Sequence, residues 1–126
     1  MNDRIRTALA KGHLIDITTT GRKTGQARRL EIVFHNLDGR LIISGSPRGP
    51  RKRAWLANLE SDPHFTFHLK GPAAVDLPAT ARVITEDMER GAVAEWITTH
   101  AWQNQDVEAM VADSPMIEVT IEDLAA

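Results

Sequence analysis

Leu30-Glu31-Ile32-Val33-Phe34-His35-Asn36-Leu37-Asp38-Gly39-Arg40-Leu41-Ile42-Ile43 decides the fold. Leu30, Ile32 and Phe34 alternate with Arg29, Glu31 and His35, and because successive side chains of a strand point to opposite faces, this run predicts a strand with one buried face. A turn follows at once. Asp38-Gly39 separates that strand from Leu41-Ile42-Ile43, and both turn residues tolerate the positive φ of a tight hairpin. The pattern predicts antiparallel strands over about 27–36 and 40–46.

Upstream, the β-branched run from Leu14 through Ile15, Ile17 and Thr18-Thr19-Thr20 favours a strand that stops at Gly21. Before it, Ile5, Ala8 and Leu9 recur at helical spacing over 2–11, giving an N-terminal helix ended by Gly12 that is either a lid or a plain packing element. Downstream, Trp55, Leu56 and Leu59 predict a helix over about 52–61, closed by Asp62-Pro63. Phe65, Phe67 and Leu69 then alternate with His64, Thr66 and His68 until Gly71-Pro72. Val75, Leu77, Ala79, Ala81 and Val83 keep the period of two, while Pro78 lacks a ladder donor and points to a sheet edge or bulge.

Thr85 can cap a helix with Glu86 and Asp87 in its first turn and Met88, Ala92 and Trp96 on one side. A second helical piece follows over about 104–112. Ile117, Val119 and Ile121 supply a last strand after Ser114-Pro115. Six strands with short helices make a mainly β, α+β chain, and closing them into a small barrel or strongly curled antiparallel sheet protects the edges. At 126 residues the expectation is one domain over 1–126.

Composition narrows the function classes. A formal net charge of −2 gives no general attraction for nucleic acid, so any anion site must be local. Without cysteine there is no disulfide, thiolate metal site or cysteine nucleophile. No run approaches the ~20 apolar residues of a membrane span and the N-terminus lacks a signal-peptide centre, so the expected location is cytoplasmic.

Charge is concentrated. Arg22, Lys23, Arg28 and Arg29 form one cluster and Arg48, Arg51, Lys52 and Arg53 another, eight of the fifteen basic residues. If 27–36 pairs with 40–46, both loops lie at one end of the hairpin. Positive charge beside glycine-rich backbone suits a phosphate or carboxylate; the plain alternative is a solvated basic rim. Gly21-Arg22-Lys23-Thr24-Gly25 has the wrong spacing for a Walker loop, and Gly45-Ser46-Pro47-Arg48-Gly49 does not place its serine as a nucleophile elbow does. His64 and His68 on one strand stand roughly 13 Å apart, too far to share a metal. No metal site is expected, and His13, His35 and His100 read as surface or structural residues. Trp55 could wall a planar cofactor, with Asn58 one turn on bonding the loop; the plain reading is a core tryptophan and a capping asparagine. There is no tyrosine to act as a phenol donor.

Thr18-Thr19-Thr20-Gly21-Arg22-Lys23-Thr24-Gly25 with Arg28, followed by Ser46-Pro47-Arg48-Gly49-Pro50, Trp55, Asn58-Leu59 and Asp62-Pro63, resembles the signature of the deazaflavin-dependent nitroreductase family, which uses coenzyme F420. The resemblance covers about residues 14–70. It implies a six-stranded split β-barrel related to barrels that bind flavin mononucleotide, in which basic loops hold the cofactor's phosphate and acidic tail. Carried over residue by residue, Arg22, Lys23, Thr24 and Arg28 hold the phosphate side. Ser46, Arg48 and Gly49, with Pro47 among them, line the ring, and Trp55 and Asn58 brace that loop. The loop before Trp55 is one residue shorter than the family pattern, and the C-terminal third offers Trp96, His100, Trp102 and Gln103 where several members carry tyrosines.

The implied activity is hydride transfer from reduced F420 to a quinone, enone or nitro compound, with the cofactor carrying the chemistry and no catalytic side chain identified. Water, His35 or His100 could supply the proton. Flavin mononucleotide in the same fold is the first alternative. A non-catalytic barrel binding anions or single-stranded nucleic acid is the second, although 5% aromatic content offers few stacking platforms. The expected partners are the cofactor and an electron acceptor, without nucleic acid or membrane segment, on a monomer or homodimer.

Overall fold

A computed structural model describes residues 3–47 and 53–122. Its strands are β1 (Leu14–Thr20), β2 (Ala27–Leu37), β3 (Arg40–Ser44), β4 (His64–Leu69), β5 (Val75–Val83) and β6 (Met116–Ile121). Helices α1 (Asp3–Lys11), α2 (Ala54–Ser61), α3 (Asp87–His100) and α4 (Val107–Asp113) surround them. The strands close as an antiparallel barrel in the order β1-β2-β3-β6-β5-β4. The β2–β3 hairpin forms as expected, Leu37 facing Arg40 across Asp38 at φ 51° and Gly39 at φ 99°. Pairing of Ile17 with Phe67 joins β1 to β4 and completes the ring.

The inward residues of each strand fill the barrel. Ile15, Ile17, Phe34, Ile43, Phe67 and Ile117 are fully buried, and Phe34 meets Phe67 edge to face at 5.2 Å. Helix α1 adds Leu9 to this core and is tied down by Asn36 Nδ2 donating to the Leu9 carbonyl. It lies at the barrel end opposite the 21–26 loop, since it contacts β2 and the turn after β4. Gly12, which ends α1, has φ 66°, and a Cβ there would come within 3.1 Å of the Phe34 carbonyl.

Part of the outer surface is also covered. Leu37, Ile42 and Met116 pack against Ile84, Val93, Ala94, Ile97 and Met110, forming a second core beneath α3 and α4. This explains the unbroken apolar run Leu41-Ile42-Ile43, because β3 is buried on both faces. It also corrects the reading of His35 as the polar side of an exposed face, for this residue is buried under Trp96 and Trp102. His68 is buried as well, held on the outer face between Thr18 Oγ1 and Asp76 Oδ1 at 2.6 Å each.

Two local expectations change. Thr85 does not cap α3: Glu86 is the N-cap, without a side-chain bond, because the buried Ile84 still donates to the Met116 carbonyl and keeps the chain extended. Pro78 sits within the closed ring rather than on an edge strand. Among the described residues pairing of β5 with β6 begins at Ala79, one residue after Pro78, so no ladder on that side calls for the missing N–H.

Candidate active site

Strand β1 delivers the chain to the barrel mouth at Thr20. There Gly21 N–H donates to the Gln26 carbonyl and Gly25 N–H to the Gly21 carbonyl, both at 2.8 Å. Gly25 takes φ 72°, where an L side chain would be strained. A Cβ on Gly21 would lie 3.1 Å from the Gln26 oxygen, so the loop closes this tightly only with glycine at that position.

The second loop is anchored from α2. Arg53, the N-cap of that helix, donates from its guanidinium to the Ser46 carbonyl, and lies so near Gly45 that a Cβ there would stand 3.1 Å from Nη2. One turn on, the buried Asn58 accepts the Arg22 backbone N–H at 3.1 Å and donates to Thr19 Oγ1 at 3.1 Å. Asn58 therefore braces the first loop; the sequence assigned it to the second, of which residues 48–52 lie outside the described residues.

Between the loops opens a cavity of about 1200 Å³. Arg22, Lys23, Thr24 and Arg28 line it together with Ser46, Trp55 and Asn58, so most of the residues singled out in the sequence converge. Pro47 is not among the lining residues, and Arg48 and Gly49 lie outside the described residues, as do Arg51 and Lys52. Arg29 leaves the cluster. It faces outward and binds Asp16 at 2.9 Å, a cross-strand acid that a linear reading of the basic run overlooks. Val33, which the sequence did not single out, also lines the cavity, as do Arg53 of the second basic cluster and Trp102, which stands where several family members carry tyrosines. Trp102 belongs to the connection between α3 and α4, where no periodicity marks a side chain as inward.

The cavity has a strong charge bias. Among the described lining residues Glu31 is the single acid against Arg22, Lys23, Arg28 and Arg53. Glu31 is itself neutralised, since Lys70 Nζ sits 2.7 Å from its carboxylate and 2.8 Å from Asp16. Those bonds, the Asp16 one foremost, hold the Lys70 ammonium above its usual range. The cationic surface is thus kept clear of competing carboxylates. Leu30, Ile32, Val33, Trp55 and Trp102 supply an apolar lining. A polar rim over an apolar interior is what a flat molecule with an anionic tail requires.

Comparison with known proteins gives the same direction. The model of the F420H(2)-dependent quinone reductase family matches residues 1–123. Among solved structures, an F420-H2 dependent reductase, FDR-A, aligns at TM-score 0.57 with 18% identity, over 85% of this chain and 93% of that one. A conserved hypothetical protein from Mycobacterium tuberculosis aligns at TM-score 0.72 with 17% identity, over 96% and 81%. The heme storage protein HutZ from Vibrio cholerae aligns at 0.69 with 11% identity, over 94% and 87%. Likeness at these identities establishes the split-barrel fold. Among the described residues no helix is long and apolar enough to cross a membrane.

Proposed function

The chain belongs to the F420H(2)-dependent quinone reductase family, and from that premise we propose that its cavity holds reduced coenzyme F420 beside an electron-poor acceptor of the quinone class. The observation that carries this reading is the meeting of Arg22, Lys23 and Arg28 with Trp55 and Trp102 around one cavity. The volume agrees. At about 1200 Å³ the cavity exceeds the roughly 300–1,000 Å³ of most small-molecule sites, leaving room for a cofactor and a second flat molecule.

In this reading Arg22, Lys23 and Arg28 grip the phosphate and acidic tail, with the Thr24 hydroxyl beside them. Ser46 and Trp55 border the ring, and Pro47, Arg48 and Gly49 belong to the same loop. When bound, F420H2 supplies a hydride to the acceptor, and a proton from solvent completes its two-electron reduction. The protein aligns the two molecules within a near-attack separation of about 3–3.5 Å and excludes bulk water. No nucleophile or metal is needed, and a soluble reduced cofactor suits a cytoplasmic setting.

The test is to mix purified protein with F420H2 and a panel of quinones, enones and nitro compounds and to follow cofactor oxidation. Quinone-dependent turnover is expected. Oxidation of reduced flavin mononucleotide in its place, or of neither cofactor, would contradict the proposal.

A further inference from the structure

Behind the cavity lies a polar atom with no partner. His35 Nε2 is buried and makes no hydrogen bond among the described residues, although nine-tenths or more of buried polar groups are paired. The residue is 5% exposed, on the covered outer face of β2. Burial pushes its pKa down to about 4, so at neutral pH the imidazole is uncharged and one ring nitrogen carries a proton. Leaving such a group unsatisfied is costly in a folded protein. The only other described atom of this kind, Ser114 Oγ, is on a residue that does not line the cavity.

His35 is one side chain removed from the cavity. The Trp102 indole touches both, meeting the imidazole nearly at right angles with ring centroids 4.8 Å apart and lining the cavity with Val33, two residues before His35 on its strand. Trp102 sits in the connection between α3 and α4, outside any helix, and is half-buried. Its backbone is pinned by donation to the Ile97 carbonyl at 2.8 Å, which leaves rotation about the side-chain bonds as the available motion. Trp96 also meets the imidazole, with centroids 6.5 Å apart, and stacks on His100 at 4.3 Å, so the two indoles form an aromatic box at His35.

We propose that the acceptor enters this box: a planar carbonyl compound of the quinone class stacks against a displaced Trp102, and its oxygen takes a hydrogen bond from His35 Nε2. This deepens the function proposed above and rests on it. The pair then selects acceptors by shape and by a carbonyl, while the cationic loops select the cofactor. His35 is a positioning residue here, and Trp102 sets the width of the slot.

The test uses the full chain and 1,4-naphthoquinone-2-sulfonate as probe. Quenching of tryptophan fluorescence by the quinone, measured without cofactor, should be strong in the wild type and much reduced in Trp102→Phe. His35→Phe, which keeps a ring but removes both nitrogens, should raise the quinone KM about tenfold with little change in kcat and none in F420 affinity. His35→Gln, which returns an N–H near the same position, should recover most of that loss. Equal KM in wild type, His35→Phe and His35→Gln would overturn the assignment and leave His35 as packing. If His35→Phe does not fold, His35→Gln and Trp102→Phe decide alone: quinone KM unchanged in both would equally overturn it. If F420H2 is never oxidised but Trp102-dependent quenching persists, the slot stands and the cofactor reading fails.

Discussion

Asn58 ties helix α2 to the first basic loop, its Oδ1 accepting the Arg22 backbone N–H while its Nδ2 donates to Thr19 Oγ1, both at 3.1 Å. The contact spans 36 residues and sets where the Arg22 side chain starts. Asn58→Ala leaves a backbone donor and a buried hydroxyl without these partners, which costs about 1–3 kcal/mol. Chemical denaturation should show that loss, and an F420 titration should show affinity weakened several-fold. Full affinity in a destabilised variant would mean that the loop does not depend on this brace.

Arg90 is the organising cation of the second core. Its guanidinium donates to the carbonyls of Ile84, Met110, Val111 and Ser114, binding α3 to the end of α4 and to the segment after β5. Arg90→Met removes donors to several half-buried oxygens at once. A loss of roughly 2–4 kcal/mol is expected, read as a drop in Tm of more than 5 °C. A shift of a degree or less would show that water replaces the guanidinium freely.

Much of the architecture was legible because a barrel has an inside. Ile15, Ile17, Phe34 and Phe67 face it, and the alternation along their strands reports this directly. The second core was less legible, since Leu41-Ile42-Ile43 shows that β3 is covered twice but not which helix covers it. His35 and His68 read as exposed by parity, and only tertiary neighbours bury them: Trp102 in one case, Thr18 and Asp76 in the other. At the site, Arg22, Lys23 and Arg28 were visible as charge beside glycine. Arg29 looked equivalent until the fold set Asp16 next to it, and Trp102 stood out only through the family resemblance, with no periodicity to turn it inward.

Acid should loosen one side of the barrel in a defined range. Arg40 and Arg82 share Glu89 and Glu118 across β3, β5, β6 and α3. Arg82, and after it Arg40, holds the Glu89 carboxyl down at about 2, against an ordinary value of 4.5, and Glu118 is also lowered, chiefly by Arg40. A carboxylate depressed in the folded state contributes fully above its unfolded value and loses that contribution as pH falls through its folded one. The loss therefore falls between about pH 4.5 and 2. The arginines are about half exposed, so each pair is worth at most about 1 kcal/mol. Tm measured from pH 7 to 2 should fall less steeply in Glu89→Gln than in the wild type; parallel curves would exclude the network as a source of acid sensitivity.

Two glycines should respond in opposite directions to alanine. Gly91 lies within α3 with nothing within 4 Å of a Cβ, so Gly91→Ala should stabilise by about 0.5–1 kcal/mol. Gly12 combines φ 66° with backbone 3.1 Å from the Cβ position, so Gly12→Ala should cost more than about 1 kcal/mol. Thermal melts of the two variants check both signs, and a stabilised Gly12→Ala would contradict the close approach of the chain to Phe34.

The most direct measurement is a pair of fluorescence titrations, F420 and flavin mononucleotide, against the wild type and the double variant Arg22→Ala/Arg28→Ala. Charge-assisted bonds to phosphate are worth about 1.5–3 kcal/mol each, so the double variant should bind F420 at least a hundredfold more weakly at unchanged Tm. The wild type should prefer F420. Tighter binding of flavin mononucleotide, or equal F420 affinity with and without the two arginines, would contradict a cationic grip on the deazaflavin tail.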